Sequence, residues 1–134
     1  MEGVPVLALD ASALMAPVEA NVRLFEELDR LLGTYETVVP AAVLAELEGL
    51  ASGAGEAATA ASVGADLATR ARTVDEADGV GEEIEADDVL VVLARTGRVD
   101  YVVTNDRPLI ERVLDADTPV ICLRGRNTLA ITEP

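Results

Sequence analysis

The feature that most limits how this chain can fold is an alternation. Largely apolar runs of strand length, at residues 4–9, 35–39, 100–104 and 119–123, are separated by stretches with helical character. A strand that is apolar on both faces has to be covered on both faces. That pattern predicts an α/β domain whose helices pack above and below a mainly parallel sheet of about five strands. The helical stretches carry their own punctuation. Residues 18–32 set Val22, Phe25, Leu28, Leu31 and Leu32 on one side and stop at Gly33. Pro40 suits the first turn of a helix running to about Ala51. An alanine-rich helix is expected over 56–71, one over 86–96 ended by Gly97, and one over 106–115 that tolerates Pro108 in its first turn. Residues 72–85, with Gly79 and Gly81, read as a polar loop holding at most a short strand, and 128–132 as a last extended piece. Crossovers should be right-handed. The 134 residues have the size of one domain, 1–134, with no internal repeat or long linker.

Composition narrows the chemistry. Half the chain is hydrophobic, but there is one Phe, two Tyr and no Trp, so the core must be aliphatic. There are 25 acids against 10 arginines and no lysine, a net charge of −15. Such acidity suits disorder only when apolar residues are scarce, which they are not here. A lysine-free acidic coat resembles that of proteins from very salty, archaeal-like cytoplasms, where at about 1 M salt the Debye length is roughly 3 Å and self-repulsion is screened. The charge is uneven: residues 1–94 hold 4 Arg and 19 acids, whereas residues 95–134 hold 6 of each. The absence of histidine removes Ser-His-Asp and Cys-His mechanisms. The single Cys122, inside Val120-Ile121-Cys122-Leu123, reads as a buried inert thiol. No apolar run approaches the ~20 residues of a membrane span, and no leader is recognisable, so the expected location is cytoplasmic and no membrane partner is expected.

Four acids are out of place in this pattern. Asp10 closes the first apolar run, Asp106 follows the run at 100–104, and Asp88 directly precedes Val89-Leu90-Val91-Val92-Leu93. Val43, Glu46, Leu47 and Leu50 stand at i, i+3, i+4 and i+7, which sets Glu46 on the apolar stripe of its helix. A carboxylate near a core needs a compensator, and a divalent cation is one that several acids can share. In a parallel sheet, ligands bind beyond the carboxyl ends of the strands, where Asp10 and Asp106 fall. Each acid also has a plainer reading: Asp10 as a turn opener, Glu46 as a snorkelling side chain, and Asp87, Asp88 or Asp106 as helix caps. An acidic cluster at such an edge also fits a phosphotransfer receiver, though Glu46 and the absence of lysine speak against one.

The segments Asp10-Ala11-Ser12-Ala13-Leu14, Val39-Pro40-Ala41-Ala42-Val43-Leu44-Ala45-Glu46-Leu47, Ala86-Asp87-Asp88 and Val103-Thr104-Asn105-Asp106-Arg107 together resemble the PIN-domain ribonucleases. The likeness spans nearly the whole chain. It is nearest to archaeal stand-alone PIN proteins similar to small-subunit ribosomal RNA-processing factors, an impression that Pro119-Val120-Ile121-Cys122-Leu123-Arg124-Gly125-Arg126 reinforces. VapC-type toxins share the quartet. The resemblance implies a three-layer α/β/α fold with a central parallel sheet, and metal-dependent hydrolysis of RNA. Asp10, Glu46, Asp88 and Asp106 match the metal-binding, catalytic acids, with one or two Mg²⁺ or Mn²⁺ ions. Asp88 is preferred to Asp87 because Val89-Leu90-Val91 follows it; Asp87 is then a cap or outer helper. Ser12 and Thr104 match the accompanying hydroxyls, with Asn105 beside them as a further supporting residue.

The expected substrate is RNA, which a chain at −15 should repel. Phosphate contacts normally come from Lys and Arg. Arg107, Arg124 and Arg126 are the leading candidates here, and Arg95, Arg98 and Arg112 the weaker ones. With so few aromatics, base stacking is not expected to carry affinity. The resemblance admits ribosome-assembly proteins, an antitoxin or a second copy in a homodimer as partners. It also leaves open a toxin ribonuclease or a catalytically inactive RNA-associated module.

Overall fold

A computed structural model describes residues 3–74 and 85–134. The strands are β1 (Val6–Leu9), β2 (Glu36–Pro40), β3 (Arg72–Val74), β4 (Tyr101–Val103), β5 (Val120–Arg124) and β6 (Thr128–Thr132). The helices are α1 (Ala11–Glu19), α2 (Leu24–Leu32), α3 (Ala41–Ala51), α4 (Gly55–Ala68), α5 (Ala86–Arg95) and α6 (Arg107–Asp115). The sheet runs in the order β3-β2-β1-β4-β5-β6 and is parallel except at β5–β6. Chain order moves outward from β1 to β3, then returns to β4 and moves outward the other way. With right-handed crossovers, that reversal puts the two sets of helices on opposite faces. Accordingly α1 packs on α4 and α4 on α3, while α5 packs on α6. The architecture is a three-layer α/β/α sandwich.

The core follows the apolar runs. Leu7, Ala8 and Leu9 in β1 and Val102 and Val103 in β4 are buried between the helical layers, with Leu14, Leu47, Leu90, Leu93, Leu109 and Ile121 packed around them. Alanine and glycine in α4 permit a close crossing with α1. A Cβ placed on Gly64 would stand 3.0 Å from the carbonyl oxygen of Leu14.

The expected sheet of about five strands is present with six, the short β3 and the hairpin strand β6 included. Two differences from the sequence expectations have local causes. The segment 18–32 is not one helix: α1 ends at Glu19, Asn21 takes a positive φ of 54°, and α2 begins at Leu24. Helix α1 escapes detection because Ala11, Ala13, Leu14, Met15 and Ala16 are all buried, so it presents no polar face and no stripe. Pro40 is the residue before α3 and not its first helical position. The loop expected with Gly79 and Gly81 lies outside the described residues, and among these no helix is long and apolar enough to cross a membrane.

The outer strand β6 is held from the side. Leu129 pairs across the hairpin with Leu123, which leaves the peptide groups of Leu129 facing outward. Its N–H donates to Glu27 Oε1 (2.9 Å), and its carbonyl accepts from Arg30 Nη2 (2.8 Å). Glu27 and Arg30, one turn apart on α2, are themselves an ion pair.

Candidate active site

Strands β1 and β4 are neighbours, with Leu9 in register with Val103. This is where the crossover direction reverses, and at such a switch point the loops beyond the strand ends part to leave a crevice. The residue after β1 is Asp10, and those after β4 are Thr104, Asn105 and Asp106. Backbone pairing continues one residue past each strand: Asp10 N–H donates to the Val103 carbonyl of β4 (3.2 Å), and Thr104 N–H to the Ile121 carbonyl of β5 (3.0 Å).

Asp10 is 5% exposed and caps α1, with Oδ1 accepting from Ala13 N–H (2.8 Å). Ser12 Oγ donates to Oδ1 and Oδ2 (2.8 and 3.0 Å), and Thr104 Oγ1 donates to Oδ2. Both hydroxyls also accept hydrogen bonds from backbone amides of the loop after β4. Asn105 N–H donates to Ser12 Oγ (2.9 Å), and Asp106 N–H to Thr104 Oγ1 (3.0 Å). Asn105 completes the frame by accepting the Leu123 N–H from β5 at Oδ1 (2.8 Å). Burial pushes the Asp10 carboxyl up to about 6. The hydrogen bonds from Thr104, Ala13 and Ser12 offset part of that rise, and the charge of Asp87 adds to it.

Asp106 caps α6, where its Oδ2 accepts the Leu109 N–H (3.1 Å). The capping reading was therefore correct, but it occupies only this oxygen of the carboxylate. The charge of Asp106 is felt by both Asp87 and Glu46. Asp87 has its pKa raised, first by lost hydration and then by Asp106. Glu46 is raised by lost hydration, then by Asp87, Asp106 and Glu85. Asp10, Glu46, Asp87 and Asp106 are thus linked by mutual repulsion, which needs proximity and poor screening.

The charge of Asp88, the expected third acid, adds to the rise at Asp87. Asp88 forms an ion pair with Arg112 on α6 (Asp88 Oδ1 to Nη2, 2.8 Å), and both side chains are about half exposed. Asp87, at the second position of α5, adds its charge to the rise at both Asp10 and Glu46. Glu46 does not lie within the apolar stripe. Val43 and Leu47 are buried, but Glu46 is exposed and Leu50 is 40% exposed, so the stripe ends where the helix leaves the sheet. The raised pKa and the exposure of Glu46 together describe a carboxylate at the rim of the site.

The donor set is all carboxylate and hydroxyl oxygen, which is the chemistry of Mg²⁺ and Mn²⁺ sites. As the side chains stand, no three of the described acids are disposed to ligate one ion directly. The residues fit an ion that keeps several waters and takes one or two carboxylates, the usual habit of Mg²⁺. Among the described residues, Arg107, Arg124 and Arg126 are exposed and carry no carboxylate partner, while Arg124 reaches Thr132 Oγ1 at 3.5 Å. Two of the three aromatics serve the scaffold: Arg70 lies over the Phe25 ring at 4.0 Å, and Tyr35 donates to Asp29 at 2.6 Å.

A family model described as a PIN-like domain matches residues 7–126. Comparison with curated proteins gives no match. Among solved structures, the PIN domain endonuclease Utp24 superposes with a TM-score of 0.76 at 20% identity, over 96% of this chain and 92% of that one. A domain of a functionally unknown protein from Methanocaldococcus jannaschii DSM 2661 gives 0.64 at 13% identity, over 90% and 92%.

Proposed function

The chain belongs to the PIN-like domain family, and on that premise we propose that it is a metal-dependent endoribonuclease. The observation that carries this reading is the buried Asp10, gripped by Ser12 and Thr104 at the switch point of the sheet and coupled to Asp87. Burial without a positive partner is a cost, and the framework of hydroxyls and amides holds the carboxylate there regardless. We assign Asp10, Asp87, Asp106 and Glu46 to holding one or two Mg²⁺ or Mn²⁺ ions, with Asp87 in place of Asp88. Such an ion supplies hydroxide from water near neutral pH and offsets charge on the phosphate.

The chain's own part is to fix and to space charges. Ser12 and Thr104 orient both oxygens of Asp10, so its carboxylate needs no reorganisation when a cation arrives. The Asn105 bond to β5 holds the loop that carries Asp106. Helix α5 presents Asp87 from the opposite layer, and Glu46 closes the rim from α3. The absence of histidine leaves carboxylates, and water held by them, to move protons at the phosphodiester.

RNA as substrate, and ribosomal RNA maturation as its setting, extend the proposal through the sequence resemblance. Ribosome-assembly proteins and a homodimer belong to the same reading, whereas an antitoxin belongs to the VapC-type alternative. Incubation with structured RNA and Mn²⁺ should give fragments with 5′-phosphate and 3′-hydroxyl ends. Asp10→Asn and Asp87→Asn should abolish cleavage. Equal cleavage by wild type and Asp10→Asn would refute the site.

A further inference from the structure

Resting on the nuclease reading, we infer that Arg112 is the arginine that receives a phosphate of bound RNA at the acidic site, and that Asp88 is its positioning residue. The acids on α5 and α6 present negative charge to a polyanion, so affinity needs a cation next to them. Of the arginines, Arg112 has its head group fixed at that place. The 2.8 Å bond from its Nη2 to Asp88 Oδ1 spans from the first turn of α5 to α6, and Asp88 is the chain neighbour of Asp87. Arg23 and Arg30 are held by Glu26 and Glu27 on α2, and Arg107, Arg124 and Arg126 have no carboxylate holding them among the described residues.

The geometry of the pair suits a tether better than a structural brace. With the two side chains 47% and 46% exposed, it adds little to stability. Asp88 takes one Nη2 hydrogen, so the other remains, with the N–H of Nε or Nη1 beside it, to donate to a phosphate in the forked manner of a guanidinium. Asp88 thereby acts on RNA through Arg112, with no contact to the ion.

The test separates this inference from the nuclease reading. Binding of a fluorescent structured RNA by Asp10→Asn protein in Mg²⁺ is measured by anisotropy across a salt series. Adding Arg112→Ala should weaken binding roughly tenfold and reduce the salt slope by about one. Arg112→Lys should restore part of the affinity, since it keeps the charge without the fork. Asp88→Ala in otherwise wild-type protein should leave the Mn²⁺-induced rise in melting temperature intact, whereas Asp87→Asn should remove it. Unchanged affinity and slope in Arg112→Ala, or loss of the Mn²⁺ effect in Asp88→Ala, would overturn the inference while leaving the nuclease reading standing. If the parent binds no RNA and the wild type cleaves none, the nuclease reading falls and takes the inference with it.

Discussion

Replacing Asp10 with Asn should make the metal-free protein more stable at neutral pH, although it removes a residue central to the proposed site. Burial raises the Asp10 carboxyl from its ordinary 3.8 to about 6. Between those values the folded state binds more protons than the unfolded state, so wild-type stability falls as pH rises through the window. Above pH 7 the whole penalty is present, and at 1.36 kcal/mol per pKa unit it comes to roughly 3 kcal/mol. Asn carries no charge to desolvate. Its amide oxygen can keep the Ala13 and Ser12 bonds, but its NH₂ group would face Thr104 Oγ1, which already accepts from Asp106. Forcing that hydroxyl to turn costs about 1 kcal/mol. The net gain is about 2 kcal/mol at pH 7.5, or on the order of 8 °C in melting temperature for a domain of this size. Urea unfolding of both proteins in EDTA, from pH 4.5 to 7.5 at fixed salt, measures it. The advantage should shrink almost to nothing by pH 4.5, where Asp10 in the folded wild type is itself neutral. A difference between the two proteins that is independent of pH would refute the reasoning. Adding Mn²⁺ at pH 7.5 should stabilise only the wild type and narrow the gap.

Three further outcomes are expected. Asn105→Ala leaves the Leu123 N–H without its acceptor and should destabilise by about 1–3 kcal/mol in denaturant melts, while lowering activity by loosening the loop that carries Asp106. Gly64→Val forces α4 away from the Leu14 carbonyl and should cost roughly 1–3 kcal/mol, whereas the exposed Gly49, whose added Cβ would meet nothing within 4 Å, should tolerate Ala without loss. Thermal melts across KCl should show stability climbing into the molar range, as the net charge of −15 is screened; maximal stability in dilute buffer would refute the halophilic reading.

The alternation of apolar runs was enough to read the sheet and its layers, because a parallel sheet covered on both sides imposes its pattern on every strand. It was not enough for α1, where Ala11 and the run Ala13–Ala16 are buried with no polar side between them and so carry no period. The break between α1 and α2 depended on Asn21 accepting a left-handed conformation, a local event inside a continuous helical pattern. That Asp10, Thr104 and Asp106 fall at the carboxyl edge was legible, because strand ends in such a sheet have a known destination. That Asp88 pairs with Arg112 was not. Adjacent residues on a helix point about 100° apart, and only the packing of α5 against α6 sets Asp88 against Arg112. Glu46 was placed too deep because its helix pattern runs on past the point where the sheet ends beneath it.

The bracket on Leu129 bears on how copies of this protein could associate. A free sheet edge is normally a template, since its outward peptide groups offer alternating donors and acceptors to any extended chain that arrives. Here an incoming strand would find the Leu129 donor and acceptor both occupied by the side chains of Glu27 and Arg30. It would have to part an ion pair before forming its first bond at that position. Continuation of the sheet from one molecule to the next through β6 is thus interrupted at Leu129.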